Sequence, residues 1–419
     1  MIAGDPSLKH WNRVRRYASW MREVHVEEWS TLENDAFLKL RLNSPPGGWF
    51  PALQRLSLYI TETNLPHANL FFSQHLKEIH IRLSWYWRIS GIPPDILPVI
   101  ASTISTLPTS SLQLLVVRTR DPRVPWEYFK DSFSSVILRC GPSFMEYISP
   151  VPLSDAAVNH LLQLPLLRAW STHDPPPCCS TSSFPLAFPP LEELTLGEGA
   201  IHGWVSLSKR LESGVSTTQA VTLLSKMKGS LRSLNVETLP GFIIDTSFTS
   251  LVQIFRNLVN LDVAADCQDE EGKEVEGQCT FKLNNDDVVG LSMTLSQLES
   301  LVLGHPCSRN VCITTVACLL PISVHCPRLR KLEIHFNTTN VIEDFKNSSE
   351  DPRFQELHLL PRCPLTHLNV HRTPLTLDES GFEITANGMI NIFPSLRACC
   401  GLEYIWNRLS RRITGLQRV

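Results

Sequence analysis

The fold class the sequence predicts is α/β: a leucine-rich-repeat solenoid with a curved parallel sheet on the concave side and helices on the convex side. Three observations predict it. The pattern L-x-x-L-x-L recurs along the chain, as Leu53/Leu56/Leu58, Leu76/Ile79/Ile81, Leu112/Leu115/Val117, Leu191/Leu194/Leu196, Leu231/Leu234/Val236, Leu258/Leu261/Val263, Leu298/Leu301/Leu303, Leu329/Leu332/Ile334 and Leu365/Leu368/Val370. The stretch Pro152 to Thr172 writes one whole unit, a helix feeding a strand: Ser154 and Asp155 are N-cap candidates, Ala156, Val158, Leu161 and Leu162 follow at helical spacing, and Leu167, Trp170 and Thr172 take the strand positions. Several repeat starts lie 23 to 27 residues apart, which is the repeat length, while longer gaps imply extended helices or insertions on one face.

A chain of 419 residues exceeds what one globular core supports, but a solenoid escapes that limit because each repeat packs only on its neighbours. With 43% apolar and 19% charged residues it can bury a long core. The expected division is an N-terminal capping helix over 1–20, repeats over 21–404 and a C-terminal helix or tail over 405–419.

In chain order, Asp5-Pro6-Ser7 starts a helix carrying Trp11, Val14 and Tyr17, which leads into a weak strand copy, Met21/Val24/Val26. Pro45-Pro46-Gly47-Gly48 is a turn before the second strand. Phe144/Tyr147/Ser149 is a further weak copy, and Leu396 with Cys399 is the last. A Pro/Ser-rich loop is expected over 174–187 and an acidic one over 266–278, where Asp269, Glu270, Glu271, Glu274 and Glu276 miss the spacing of a calcium loop. Between Arg309 and Arg328 there is no formal charge, yet Asn310, Pro321 and His325 interrupt the run, so a buried solenoid helix is expected rather than a membrane span.

The net charge of -3 supplies no basic footprint for nucleic acid. Of the twelve cysteines, Cys178/Cys179 and Cys399/Cys400 are adjacent, and Cys140, Cys318, Cys326 and Cys363 lie in or beside apolar repeat segments. None is expected to be bridged. Met1 to Trp20 lacks the apolar core of a signal peptide, so a reduced cytoplasmic or nuclear protein is expected, with no membrane. The sequons at Asn337 and Asn347 then read as loop residues.

No catalytic motif stands out: Gly197-x-Gly199 and Gly203 miss the dinucleotide spacing, and there is no P-loop, G-x-S-x-G or H-E-x-x-H. The expectation is no enzyme and no cofactor. Strand alternation instead assigns surfaces. If Leu365, Leu368 and Val370 point inward, His367, Asn369 and His371 line the concave sheet; the preceding repeat exposes Lys331, Glu333 and His335 beside them. The same register exposes Arg55, Ser57, Tyr59, Glu78, His80 and Arg82 nearer the N-terminus. The imidazoles define an alternative, a metal- or cofactor-dependent enzyme on a concave His patch; a structural remnant without a partner is the third reading. Trp85, Tyr86 and Trp87, between Arg82 and Arg88, have the composition of a protein-binding hot spot.

The segments VILRCGPSFMEYIS (Val136 to Ser149) and PLSDAAVNHLLQLPLLRAW (Pro152 to Trp170), with the strand entries FPALQRLSL (Phe50 to Leu58), FPPLEELTL (Phe188 to Leu196) and CPRLRKLEI (Cys326 to Ile334), resemble the leucine-rich-repeat region of the large fungal F-box family. That resemblance implies a substrate-recognition solenoid that an N-terminal F-box tethers to a ubiquitin-ligase adaptor, with a protein partner held by the repeats. Only about ten residues precede Trp11, while one helix averages about eleven. This chain is therefore expected to lack its own F-box and not to bind the adaptor by itself.

Overall fold

The computed structural model describes residues 8–26, 34–45, 48–60, 65–83, 96–119, 124–173, 189–197, 200–206, 227–238, 245–265, 282–304, 313–350, 363–370, 377–400 and 404–416. The chain divides into two compact units, Met1–Leu191 and Glu192–Val419. The first holds six strands, β1 (Glu23–Val26), β2 (Arg55–Ile60), β3 (Glu78–Leu83), β4 (Leu114–Thr119), β5 (Glu146–Ile148) and β6 (Ala169–Thr172). Each pairs in parallel with the next. The second holds β7 (Glu193–Leu196), β8 (Ser233–Thr238), β9 (Asn260–Ala265), β10 (Ser300–Leu303), β11 (Lys331–Ile334), β12 (His367–Asn369) and β13 (Ala398–Cys400), again parallel and in chain order. An α/β repeat solenoid is the fold.

The repeat leucines build its core. From Leu53 to Leu396 the first position of every motif, including Leu167 and the weak copies at Phe144 and Leu396, is wholly buried. The second positions align in register across strands, as Leu56, Ile79, Leu115 and Tyr147 do, so the motif side chain of one of these repeats meets that of the next. Burying each such side chain is worth about 2 kcal/mol.

Within each unit a shared backbone device joins each repeat to the next at the strand entry. The Gln54 carbonyl accepts hydrogen bonds from the Lys77 and Glu78 N–H groups at 2.8 and 3.0 Å, and Lys77, Gln113, Met145, Glu192, Arg232, Val259, Glu299, Arg330 and Thr366 repeat the pattern. Two amides at the entry of each such strand, the last before it and its first, are thereby satisfied.

Helices cover the leucine side of the strands. In the first unit these are α1 (Leu8–Ala18), α2 (Asn34–Leu42), α3 (Ile96–Ser105), α4 (Lys130–Leu138) and α5 (Asp155–Leu161), with 3₁₀ turns at Leu65–Phe71 and Trp126–Phe129. Ser154 caps α5, accepting from the Ala157 N–H at 3.3 Å, as its sequence predicts. In the second unit come α6 (Thr246–Gln253), α7 (Asn285–Thr294), α8 (Leu319–His325), α9 (Val341–Glu350), α10 (Glu379–Ile392) and α11 (Tyr404–Leu416). The uncharged run thus holds a buried helix, with Leu319, Leu320 and Ile322 in the core. The last helix lies on β13, burying Trp406, Leu409 and Ile413 at helical spacing.

The first helix sits differently from its expected orientation. Trp11 and Ala18 are buried and Arg15 reaches the Asn43 carbonyl at 3.1 Å, whereas Val14 and Tyr17 are 39% and 50% exposed. The inward stripe is therefore 11–15–18, because Trp11 packs on Trp49 at 5.5 Å between ring centroids. Met21 also stays outside, so the weak first copy reduces to Val24 and Val26.

Candidate functional site

Each strand has a second face free of the motif leucines, on which Leu114 of β4 is the one leucine among the described strands. Alternation leaves β2 and β3 with exposed or half-buried side chains at Arg55, Ser57, Tyr59, Glu78, His80 and Arg82, as the register predicts. Parallel pairing lines these up in rows, at the strand spacing of about 4.8 Å. One row of the first unit runs Tyr59, Arg82, Arg118, and another runs Glu23, Arg55, Glu78, Leu114, Glu146.

The row of Glu23 to Glu146 has its carboxylates engaged at both ends: Glu23 receives Arg55 of the row at 3.5 Å, and Glu146 receives Arg168, just before β6, at 2.5 Å. The upper row instead sets two exposed guanidinium groups side by side on adjacent strands. Burial, reinforced by Arg118 and Arg82 against Glu78 and Glu146, holds the His80 imidazole below its ordinary pKa, so it is neutral at pH 7. The same face narrows after that, with Val116 of β4 buried, Glu146 and Ile148 of β5 half-buried, and Ala169 and Ser171 of β6 buried.

In the second unit one row of the face runs Thr195, Asn235, Asp262, Val302, Glu333, Asn369, Cys400. Neighbouring repeats hydrogen-bond along it: Asn235 Nδ2 donates to Thr195 Oγ1 at 3.5 Å, and Asn369 Nδ2 donates to Glu333 Oε2 at 3.2 Å. Lys331 contacts the same Glu333 at 2.5 Å. Desolvation, with Glu333 and Glu237 adding repulsion and Lys331 opposing it, raises the Asp262 carboxyl above its ordinary pKa.

Of the residues selected from sequence, Lys331, Glu333, His367 and Asn369 come together here, with Lys331 opposite His367 and Glu333 opposite Asn369. His335 does not join them. The strand ends at Ile334, alternation stops there, and both His335 and Phe336 are buried. His367 is four residues out of register with His335, so these two imidazoles do not pair across the sheet. Among the described residues no group of three His, Cys, Asp or Glu is placed to hold a metal. Trp85, Tyr86, Trp87, His371, the 174–187 loop and the 266–278 loop lie outside the described residues.

Arg118, Asn235 and Asp262 belong to the face and were not singled out from sequence. Alternation reaches all three: Asn235 and Asp262 stand between the second and third positions of their motifs, and Arg118 stands one position past Val117.

Among the described residues no disulfide forms: Cys140, Cys318, Cys326, Cys363 and Cys399 are buried thiols, and Cys400 is an exposed one. Among the described residues no helix is long and apolar enough to cross a membrane.

No protein-family model matches the chain, and no curated protein matches it. Among solved structures it is similar to a chain of the crystal structure of the Rad7 and Elc1 complex in yeast, at 15% identity, over 90% of this chain and 86% of that one, with a TM-score of 0.36.

Proposed function

We propose that this chain is a non-enzymatic scaffold that binds a protein partner on the strand face opposite the motif leucines. The observation that carries the reading is the two-sidedness of the ladder: leucines and helices occupy one face, while the other offers charged and amide side chains in fixed rows. A rigid sheet presents these groups with little ordering cost on binding. Their mixture of guanidinium, carboxylate, amide and phenol suits a polypeptide with both charges.

The resemblance of its repeats to those of fungal F-box proteins supports a narrower form, in which the partner is a substrate of a ubiquitin ligase in the cytoplasm or nucleus. The absence of a basic excess supports a protein rather than a nucleic-acid partner.

The test of partner binding compares wild type with an R82E/R118E variant, a K331E/E333K variant and a helix-side control, M293S, in quantitative co-purification. Partners lost from a face variant and retained by the control support the reading. Partners retained by both face variants overturn it.

A further inference from the structure

Among the described residues, the outer side of α1 and the turn after it carry a cationic and aromatic stripe that neither the core nor the strand face uses. Arg13, Arg16, Tyr17 and Trp20 recur at helical spacing and are exposed, Tyr17 to 50% and Trp20 to 60%. The Arg13 guanidinium lies 5.8 Å from the Tyr17 ring centroid and that of Arg16 lies 5.5 Å from Trp20. Tyr17 and Trp20 meet edge to face at 6.0 Å. Val14 and Met21, 39% and 46% exposed, flank them.

We propose that this stripe is a second docking surface, and that its occupant is an acidic protein segment carrying apolar side chains. Charge complementarity selects the acidic character: α1 holds Lys9, Arg13, Arg15 and Arg16 and no carboxylate, in a chain whose net charge is -3. A guanidinium laid over a ring still has its N–H edge free to take a carboxylate in bidentate fashion. The aromatic rungs select apolar content. Trp, Tyr and Arg are the side chains that dominate binding energy at protein interfaces, and Met is enriched there. Because the four side chains already hold one another, little rotamer entropy is lost when a partner arrives.

Two other anionic occupants fit less well. A helix that lies in a membrane sinks a continuous apolar face, but here the Trp11 and Ala18 side is spent on the protein's own core. A nucleic-acid backbone calls for cations spread along its track, whereas these are confined to one helix of 11 residues.

The test selects peptides from a random 12-residue display library on the full chain, with counter-selection on an R13E/R16E/W20A variant. Selected peptides are then measured against wild type, that variant, a charge-neutral R13Q/R16Q/W20S variant and the strand-face variant R82E/R118E. All substituted side chains are exposed, and unchanged thermal midpoints check the fold. The expected result is a pool rich in Asp and Glu with Leu, Phe or Trp, weakened at least about tenfold by both α1 variants and unchanged on R82E/R118E. The proposal is overturned by an α1-dependent pool without acidic residues, or by none at all. It is equally overturned if phosphatidylserine vesicles or a single-stranded oligonucleotide bind through α1 while acidic peptides do not.

Discussion

Gly388 of α10 lies against the ring of Phe345 of α9 so closely that a Cβ at position 388 would run into the ring atoms. Alanine favours a helix over glycine by about 1 kcal/mol, but displacing a packed ring costs about 1 to 3 kcal/mol. Gly388→Ala is therefore expected to lower the thermal midpoint, whereas Gly415→Ala on α11, with nothing within 4 Å, is expected to leave it level or raise it. Calorimetry of the two variants checks the sign; a rise for Gly388→Ala contradicts the α9–α10 packing.

The start of α7 is held reciprocally. Asn284 Oδ1 accepts from the Asp287 N–H at 2.9 Å, and Asp287 Oδ2 accepts from the Asn284 N–H at 3.0 Å. Asn284→Ala is expected to cost about 1 kcal/mol, read as a shift in the urea midpoint. No shift would mean that the cap is not formed in solution.

Burial pushes the thiols of Cys140 and Cys326 up to about 12 and that of Cys363 to about 11, so almost no thiolate is present at pH 8. Brief iodoacetamide treatment of the native protein is expected to label exposed Cys400 and spare these three, and denaturant should release them. Mass spectrometry of the peptides reads this directly. Equal native labelling of Cys326 and Cys400 contradicts the repeat packing around Cys326.

The raised Asp262 carboxyl gives a pH dependence with a definite sign. Its folded pKa lies above the unfolded value of about 3.9, so its contribution to stability is full below the unfolded pKa and is lost as the pH rises through the folded one. Asp262→Asn is accordingly expected to be more stable than wild type at pH 7, with the difference vanishing towards pH 3. Asp262 is exposed, so screening limits the gain to less than about 1 kcal/mol. Denaturation midpoints at the two pH values check it; a variant less stable at pH 7 contradicts the assignment.

The strands and their register were legible in the sequence because one physical rule, a leucine at fixed spacing that must be buried, operates at every repeat. Even the unusual occupants Tyr147, Trp170 and Cys399 take the leucine position and are buried there. What escaped the pattern lies where that rule stops. At His335 the strand has ended, so period-two alternation no longer decides which way a side chain faces. At α1 the expected face of Trp11, Val14 and Tyr17 fits helical spacing as well as the observed Trp11, Arg15 and Ala18 does, and contact with Trp49 decided between them. On the strand face, Arg82 was legible alone, but its alignment with Arg118 depends on pairing between residues 36 apart, which only the fold supplies.

Hydroxyl-radical footprinting of a complex with a captured partner tests the central claim, that a protein binds on the strand face opposite the motif leucines. Tyr59, His80 and His367 report on that face, and Leu138, Met293 and Ile313, all exposed on the helix and loop side, report on the other. Protection at one or more of the first three, with the last three labelled as in the free chain, is the predicted result. Protection confined to Leu138, Met293 or Ile313 while Tyr59, His80 and His367 react unchanged would contradict the account.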